Sequence, residues 1–97
     1  MPFEIIFGPE AAENFRRLEA HIRSEVRDAV EIHLRHEPTK LSKSRIKRLR
    51  GLQQPQYRLR VGEIRIFYDV AEDEVHVVAV ITKSQAVAWL KKRGRPE

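Results

Sequence analysis

The sequence predicts an α+β domain. It consists of a small, mainly antiparallel β-sheet, two N-terminal helices packed on one face and a short C-terminal helix. Three observations predict it. First, two runs with period-2 alternation, "YRLRV" (57–61) and "IRIFYDV" (64–70), are joined by Gly62-Glu63, a pair that suits a two-residue hairpin loop of type II′. Second, Ile22, Val26, Ala29, Val30, His33 and Leu34 recur at spacings of three and four, the signature of an amphipathic helix. Third, "VHVVAVIT" (75–82) is apolar on both faces, as a central strand should be.

The remaining elements follow in order. "FEIIF" (3–7) is a short strand rich in β-branched and aromatic residues. "GPEAA" starts the first helix, with Pro9 in its first turn and Glu10 and Glu13 complementing the helix dipole. Ala12, Phe15 and Leu18 share one of its faces. Ala20-His21 is a weak break before the second helix, which must stop by Glu37 because Pro38 follows. Residues 38–44 form a loop. "RIKRLRGL" (45–52) reads either as a short strand or as an irregular basic turn. "AEDE" (71–74) is an acidic turn. Ser84 is the expected N-cap of a last helix running to Lys92, with Ala86, Val87 and Leu90 as its apolar positions, and the basic tail beyond it should fray.

Composition narrows the function. The 97 residues suit a single domain spanning 1–97, and 34% charged residues fit a soluble one. No apolar run approaches the ~20 residues of a membrane span, and no signal peptide precedes the first strand, so a cytoplasmic protein is expected. The chain has no Cys, hence no disulfide framework and no thiolate metal site. His33 and His36 stand three apart without a third ligand, so neither a metal nor another cofactor is expected.

Net charge is +5, but it is not evenly spread. From Pro38 to Gly62 there is no Asp or Glu, while Lys40, Lys43, Arg45, Lys47, Arg48, Arg50, Arg58 and Arg60 give +8; +5 less +8 leaves −3 for the rest. This is the pattern of a surface for a polyanion.

With Gly62-Glu63 as the loop, Arg60 pairs with Arg65 and Arg58 with Phe67. Tyr57, Leu59, Val61, Ile64, Ile66, Tyr68 and Val70 then face the helices. Arg58, Arg60 and Arg65 share the opposite, exposed face. Two like charges directly opposite each other destabilise a sheet, so an anion between them is the natural explanation, and the planar fork of Arg suits phosphate. Continuing the register sets Asp69 against His76, Phe67 against Val78 and Arg65 against Val80. Asp69 should pair with His76, and Arg58 is the arginine nearest a carboxylate. Lys83, Ser84 and Gln85 emerge at the Arg60/Arg65 end. Trp89 is either a packing residue of the last helix or a contact for a partner.

The pieces "FGPEAAENFRRL", "KRLRGL" and "YRLRVGEIRIFYDV" followed by "VHVVAVI" together resemble the RelE/ParE family of toxins from bacterial type II toxin–antitoxin pairs, over roughly residues 3–82. The resemblance implies a RelE-like fold and a toxin held inactive by an acidic antitoxin protein from an adjacent gene. RelE-like members cut mRNA in the ribosome; ParE-like members poison DNA gyrase. Carried over by motif, the strand arginine of RNA-cutting members is Arg65, and the basic segment supplies Lys43, Arg45, Lys47 and Arg48 as a group. RNA-cutting members often carry His, Arg or Tyr just after the final strand, whereas this chain has Lys83, Ser84 and Gln85.

Two readings follow. The first is a ribosome-dependent endoribonuclease in which Arg65 and Arg60 hold the scissile phosphate, Lys83 or Lys47 moves a proton, and Lys40, Lys43, Arg45, Lys47, Arg48, Arg50 and Arg58 bind RNA. The second is a non-enzymatic gyrase inhibitor, or a degenerate toxin that only binds its antitoxin. The antitoxin is expected on the arginine face, with carboxylates on the arginines and apolar anchors against Phe67, Val78 and Trp89.

Overall fold

The computed structural model describes residues 2–97. Its elements run β1 (Glu4–Phe7), α1 (Pro9–Arg16), α2 (Ala20–Leu34), β2 (Ile46–Arg48), β3 (Leu52–Gln54), β4 (Tyr57–Val61), β5 (Ile64–Ala71), β6 (Glu74–Thr82), α3 (Lys83–Arg93) and β7 (Arg95–Pro96). Five strands form one sheet in the order β1-β6-β5-β4-β2; β3 and β7 pair separately. Only β1 runs parallel to its neighbour, β6, and the other pairs of the large sheet are antiparallel. The α+β prediction holds, and the ambiguous "RIKRLRGL" resolves into strand β2, a turn and the start of β3.

The β4–β5 hairpin has the predicted register throughout, from Tyr57 opposite Tyr68 to Val61 opposite Ile64. Gly62 sits at φ +57, the left-handed region that opens a type II′ turn and that a side chain would strain. The helix face of the sheet carries Leu59, Ile64, Ile66, Tyr68, Val75, Val77 and Val80, all buried against Ala11, Val26, Val30 and Leu34. The last three of these recur every fourth residue along α2, so one stripe of the helix meets the sheet. Each fully buried aliphatic side chain here contributes about 1.5–3 kcal/mol.

The β5–β6 ladder departs from expectation. Val70 pairs with Val75 and Asp69 with His76, but the register shifts after Tyr68–Val77, so that Phe67 faces Ala79 and Arg65 faces Ile81. Val78 is the extra residue of a β-bulge. The bulge lets Val77 and Val80 both reach the helix-side core while Val78, Ala79 and Ile81 join a second cluster on the other face. The run "VHVVAVIT" is therefore apolar because it serves two cores, and Val80 is not on the arginine face. Beyond the end of β1, the Asn14 side chain in α1 accepts the Val80 N–H at 3.0 Å and extends the ladder by one bond.

The second cluster lies beneath α3, which packs on the face opposite α1 and α2. Thr82, not Ser84, caps α3, in a capping box with Gln85. The tail does not fray, because Arg95 and Pro96 pair with Gln54 and Leu52. His76 bonds Glu74 at 2.9 Å rather than Asp69.

One hydrogen bond ties the core to the loop that opens the basic segment. The buried Tyr68 hydroxyl donates to the carbonyl of Pro38 at 2.6 Å. Burial, and then Tyr57 stacked on it at 5.5 Å, push the phenol pKa upward, so it stays a donor. Tyr68→Phe is expected to strand the Pro38 carbonyl and lower stability by about 1–2 kcal/mol, read as a lower urea midpoint at unchanged slope. An unchanged midpoint would show that this carbonyl needs no partner.

Candidate nucleic-acid interface

The cations are placed by three strands. Because β4 is fixed to β5 by the Gly62 turn, Arg60 lies directly opposite Arg65. Strand β2 then sets Lys47 directly opposite Arg58, and the backbone N–H of Arg60 bonds the carbonyl of Arg45 at 2.9 Å, carrying the pairing one residue further. Alternation puts Lys47, Arg58, Arg60 and Arg65 on one face. Two pairs of like charges thus face each other within two strand residues.

None of these four has a carboxylate within ion-pair distance among the described residues. Elsewhere the chain neutralises its arginines: Arg16 and Arg17 bond Glu13, Arg35 bonds Glu31, and Arg93 bonds Glu10. Arg58, the arginine nearest a carboxylate in the predicted register, makes no ion pair among the described residues. Among the described residues its Nη2 reaches only the Ser44 carbonyl at 3.5 Å, and its buried Nε has no partner. Burial first, then Arg65 and Arg60, lower the Arg58 pKa. The group remains a cation, but an unneutralised one.

Arg65 lies on the predicted face but is not exposed there as expected. It is 8% exposed, and its Nη1 donates to the carbonyls of Gly62 at 2.9 Å and Ile64 at 3.1 Å. The long aliphatic stem lies in the sheet while backbone oxygens satisfy part of the guanidinium. Arg65 therefore braces the hairpin turn. Arg60, its partner, is exposed, and with Ser44, Arg45 and Gly62 it lines a polar cleft of about 270 Å³.

The other predicted residues divide around this cleft. Lys83 opens α3, and its backbone N–H bonds the Glu63 carbonyl at 2.7 Å, so the helix begins at the hairpin turn and Lys83 joins the Arg60/Arg65 end as expected. Lys43 and Arg45 lie exposed on the approach to β2. Arg48 points to the helix side, over the Tyr57 ring at 5.5 Å and onto the Gln56 carbonyl at 2.8 Å. Arg50 is exposed beyond it, and Lys40 is drawn toward Glu37 at 3.7 Å. The sequence gives no sign that α2 brings His33 near Arg45; burial and then Arg45 lower its pKa, leaving a neutral imidazole at pH 7 on the helix side.

The apolar anchors proposed for a partner are already used. Phe67 is 1% exposed and stacks on Trp89, with ring centroids 5.3 Å apart at 8°. Trp89 is held in turn by Glu10 of α1, which accepts its Nε1–H at 2.9 Å and also takes Arg93. Val78 packs half-buried in the same cluster. The arginine face is open only over β4 and β2; α3 closes it over β5 and β6.

A match to a family model decides the affiliation: residues 5–87 match the ParE toxin of type II toxin–antitoxin systems. The chain belongs to this toxin family. Solved structures with the same fold include the toxin–antitoxin complex RelBE2 from Mycobacterium tuberculosis, 21% identical over 84% of this chain and 99% of that one, with a TM-score of 0.70. The archaeal RelE–RelB complex from Pyrococcus horikoshii is 18% identical over 88% and 99%, at 0.71. The toxin RelE of E. coli is 22% identical over 96% and 98%, at 0.57. No curated protein sequence matches. The ParE-family toxin described here thus carries a RelE-like fold whose open face is cationic.

The two facing arginines make opposite predictions for stability. Arg60→Ala removes one member of a like-charge pair from an exposed position and should raise stability by a few tenths of a kcal/mol. Arg65→Ala removes bonds to two carbonyls of the turn and should lower it by about 1–3 kcal/mol. Chemical denaturation of both variants checks this; equal effects of the same sign would contradict the assignment.

Proposed function

We propose that this protein is the toxin of a toxin–antitoxin pair and acts on RNA, as a ribosome-dependent mRNA endonuclease that stops translation. The supporting observation is the cationic face of Lys47, Arg58 and Arg60 beside the buried Arg65, where like charges are set against each other and, among the described residues, no carboxylate stands within ion-pair distance. A phosphodiester at the Arg60/Arg45 cleft neutralises this repulsion. Cleavage by attack of a ribose 2′-oxygen on its neighbouring phosphorus forms a cyclic phosphate and releases a 5′-oxygen that takes up a proton. Negative charge grows on the phosphoryl oxygens, and Arg60 and Arg58 are placed to stabilise it. Lys83 at the start of α3, or Lys47 across from Arg58, serves the proton transfer. An acidic antitoxin would neutralise the same face.

A second reading has one observation in its favour. The residues after the last strand are Lys83, Ser84 and Gln85, and no His or Tyr is among them. A gyrase inhibitor needs the cationic face but no acid–base pair.

Induction in cells separates the two. Under the first reading protein synthesis stops within minutes and Arg60→Ala abolishes the effect; DNA damage with continued translation would support the second. Purified protein should also bind ribosomes with a steep salt dependence, log K falling by about 0.7 per single-strand phosphate for each tenfold rise in salt. A flat dependence would remove the basic face from the contact.

A further inference from the structure

On the same sheet face, past Phe67, lies a second cleft of about 210 Å³ that the phosphate chemistry does not use. Its walls include Trp89, Gln54, Asp69 and Arg95. It is smaller than the ~300 Å³ at which drug-sized ligands begin, and so suits a single ring system.

The charges here are sorted. Glu10 also lines the cleft, but both of its oxygens are taken, one by Trp89 and one by Arg93. Asp69 is different. Its Oδ1 accepts the Gln56 N–H at 2.7 Å, and the Gln56 side chain accepts the Val70 N–H at 2.8 Å, so the carboxylate is held rigidly. Its Oδ2 has no partner among the described residues. Burial is the largest influence on Asp69 and raises its pKa, so a donor pair from a ligand would relieve a desolvated charge. Among the described residues the Arg95 guanidinium makes only one long bond, to the Gln54 side chain at 3.4 Å. An acceptor with open lone pairs and a cation with open donors therefore line one small cleft beside an indole.

We propose that this cleft is a nucleobase site that selects guanine. Guanine presents two adjacent donors, N1–H and the N2 amine, which a carboxylate accepts together. On its other side O6 and N7 are acceptors that an arginine fork matches. Adenine, cytosine and uracil each lack one half of that pattern. Trp89 supplies an apolar wall for the ring. The site connects to the cationic face: Asp69 is two residues along β5 from Phe67, whose cross-strand partner is Arg58. That step is ~7 Å, within the reach of one nucleotide whose phosphate lies on Arg58. The inference rests on the reading of the arginine face as an RNA surface, and it gives that surface a base preference.

The test does not need a ribosome. Trp89 is the only tryptophan of the chain, so its fluorescence reports the cleft directly. Titration of the intact protein with the four nucleoside monophosphates should show saturable quenching, with guanosine monophosphate half-saturating at about tenfold lower concentration than the others. Asp69→Asn, which keeps an oxygen for the Gln56 N–H, should abolish that preference, and Arg95→Gln should reduce it. Equal quenching by all four nucleotides, or a preference that survives both substitutions, overturns the proposal. If guanine is preferred in solution while induced cells keep translating, the base site stands and the ribosome-dependent activity falls. If translation stops but quenching is not selective, the activity stands and the base site falls.

Discussion

Two pairs of like charges held face to face across the ladder are the constraint around which the rest of the molecule is arranged. Arg60 opposite Arg65 and Lys47 opposite Arg58 are unfavourable in an isolated sheet. They are tolerated because the opposite side of the same strands is the main core. Leu59 and Ile66, buried to zero exposure, lock the register that forces the cations together. A slip of one residue would bring the arginines into that core and the aliphatic residues into water. The fold therefore cannot relax the repulsion by sliding; backbone carbonyls at the turn satisfy part of Arg65, and an anion or loss of a cation would relieve the rest.

The molecule isolates this face in other ways. Three carboxylates are spent on other arginines: Glu13 on Arg16 and Arg17, Glu31 on Arg35, and Glu10 on Arg93 as well as Trp89. Helix α3 covers Phe67, Ala79 and Ile81, so the apolar half of the face is buried and the cationic half is open. Tyr68 pins Pro38 from inside the core and so sets where the acid-free stretch leaves α2. The result is a rigid cationic platform with α3 along one side. This fits the affiliation with ParE-family toxins and the RelE-like fold.

Much of this was legible in the chain. The hairpin register followed from one glycine and two alternating runs, because a two-residue loop leaves no freedom in pairing. The basic face followed from the absence of Asp and Glu over residues 38–62. Other features were hidden for physical reasons. The bulge at Val78 carries no Gly or Pro to mark it, and a continuous apolar run reads the same in either register. The burial of Arg65 was hidden because alternation gives the direction of a side chain, not what covers it, and backbone carbonyls that accept from a guanidinium leave no trace in sequence. The cover itself depends on Glu10 meeting Trp89 across 79 residues, a contact that local pattern cannot reveal. Thr82 rather than Ser84 caps α3 because the helix starts as soon as the strand ends, so a strand residue is also the cap.

An anion site held in a repulsive state when empty is what the facing cations are proposed to form. The most direct measurement is the thermal midpoint against added pyrophosphate at constant ionic strength, for the wild type and for the Arg58→Ala/Arg60→Ala double variant. A bound anion stabilises the folded chain by mass action, by about 2.7 kcal/mol at a hundredfold excess over its Kd. A domain of this size gains about 4 °C or more for each kcal/mol. A saturable rise of several degrees is expected in the wild type and none in the double variant, which should itself start from a midpoint no lower than the wild type's. A rise of equal size in both proteins, or none in either, would contradict it.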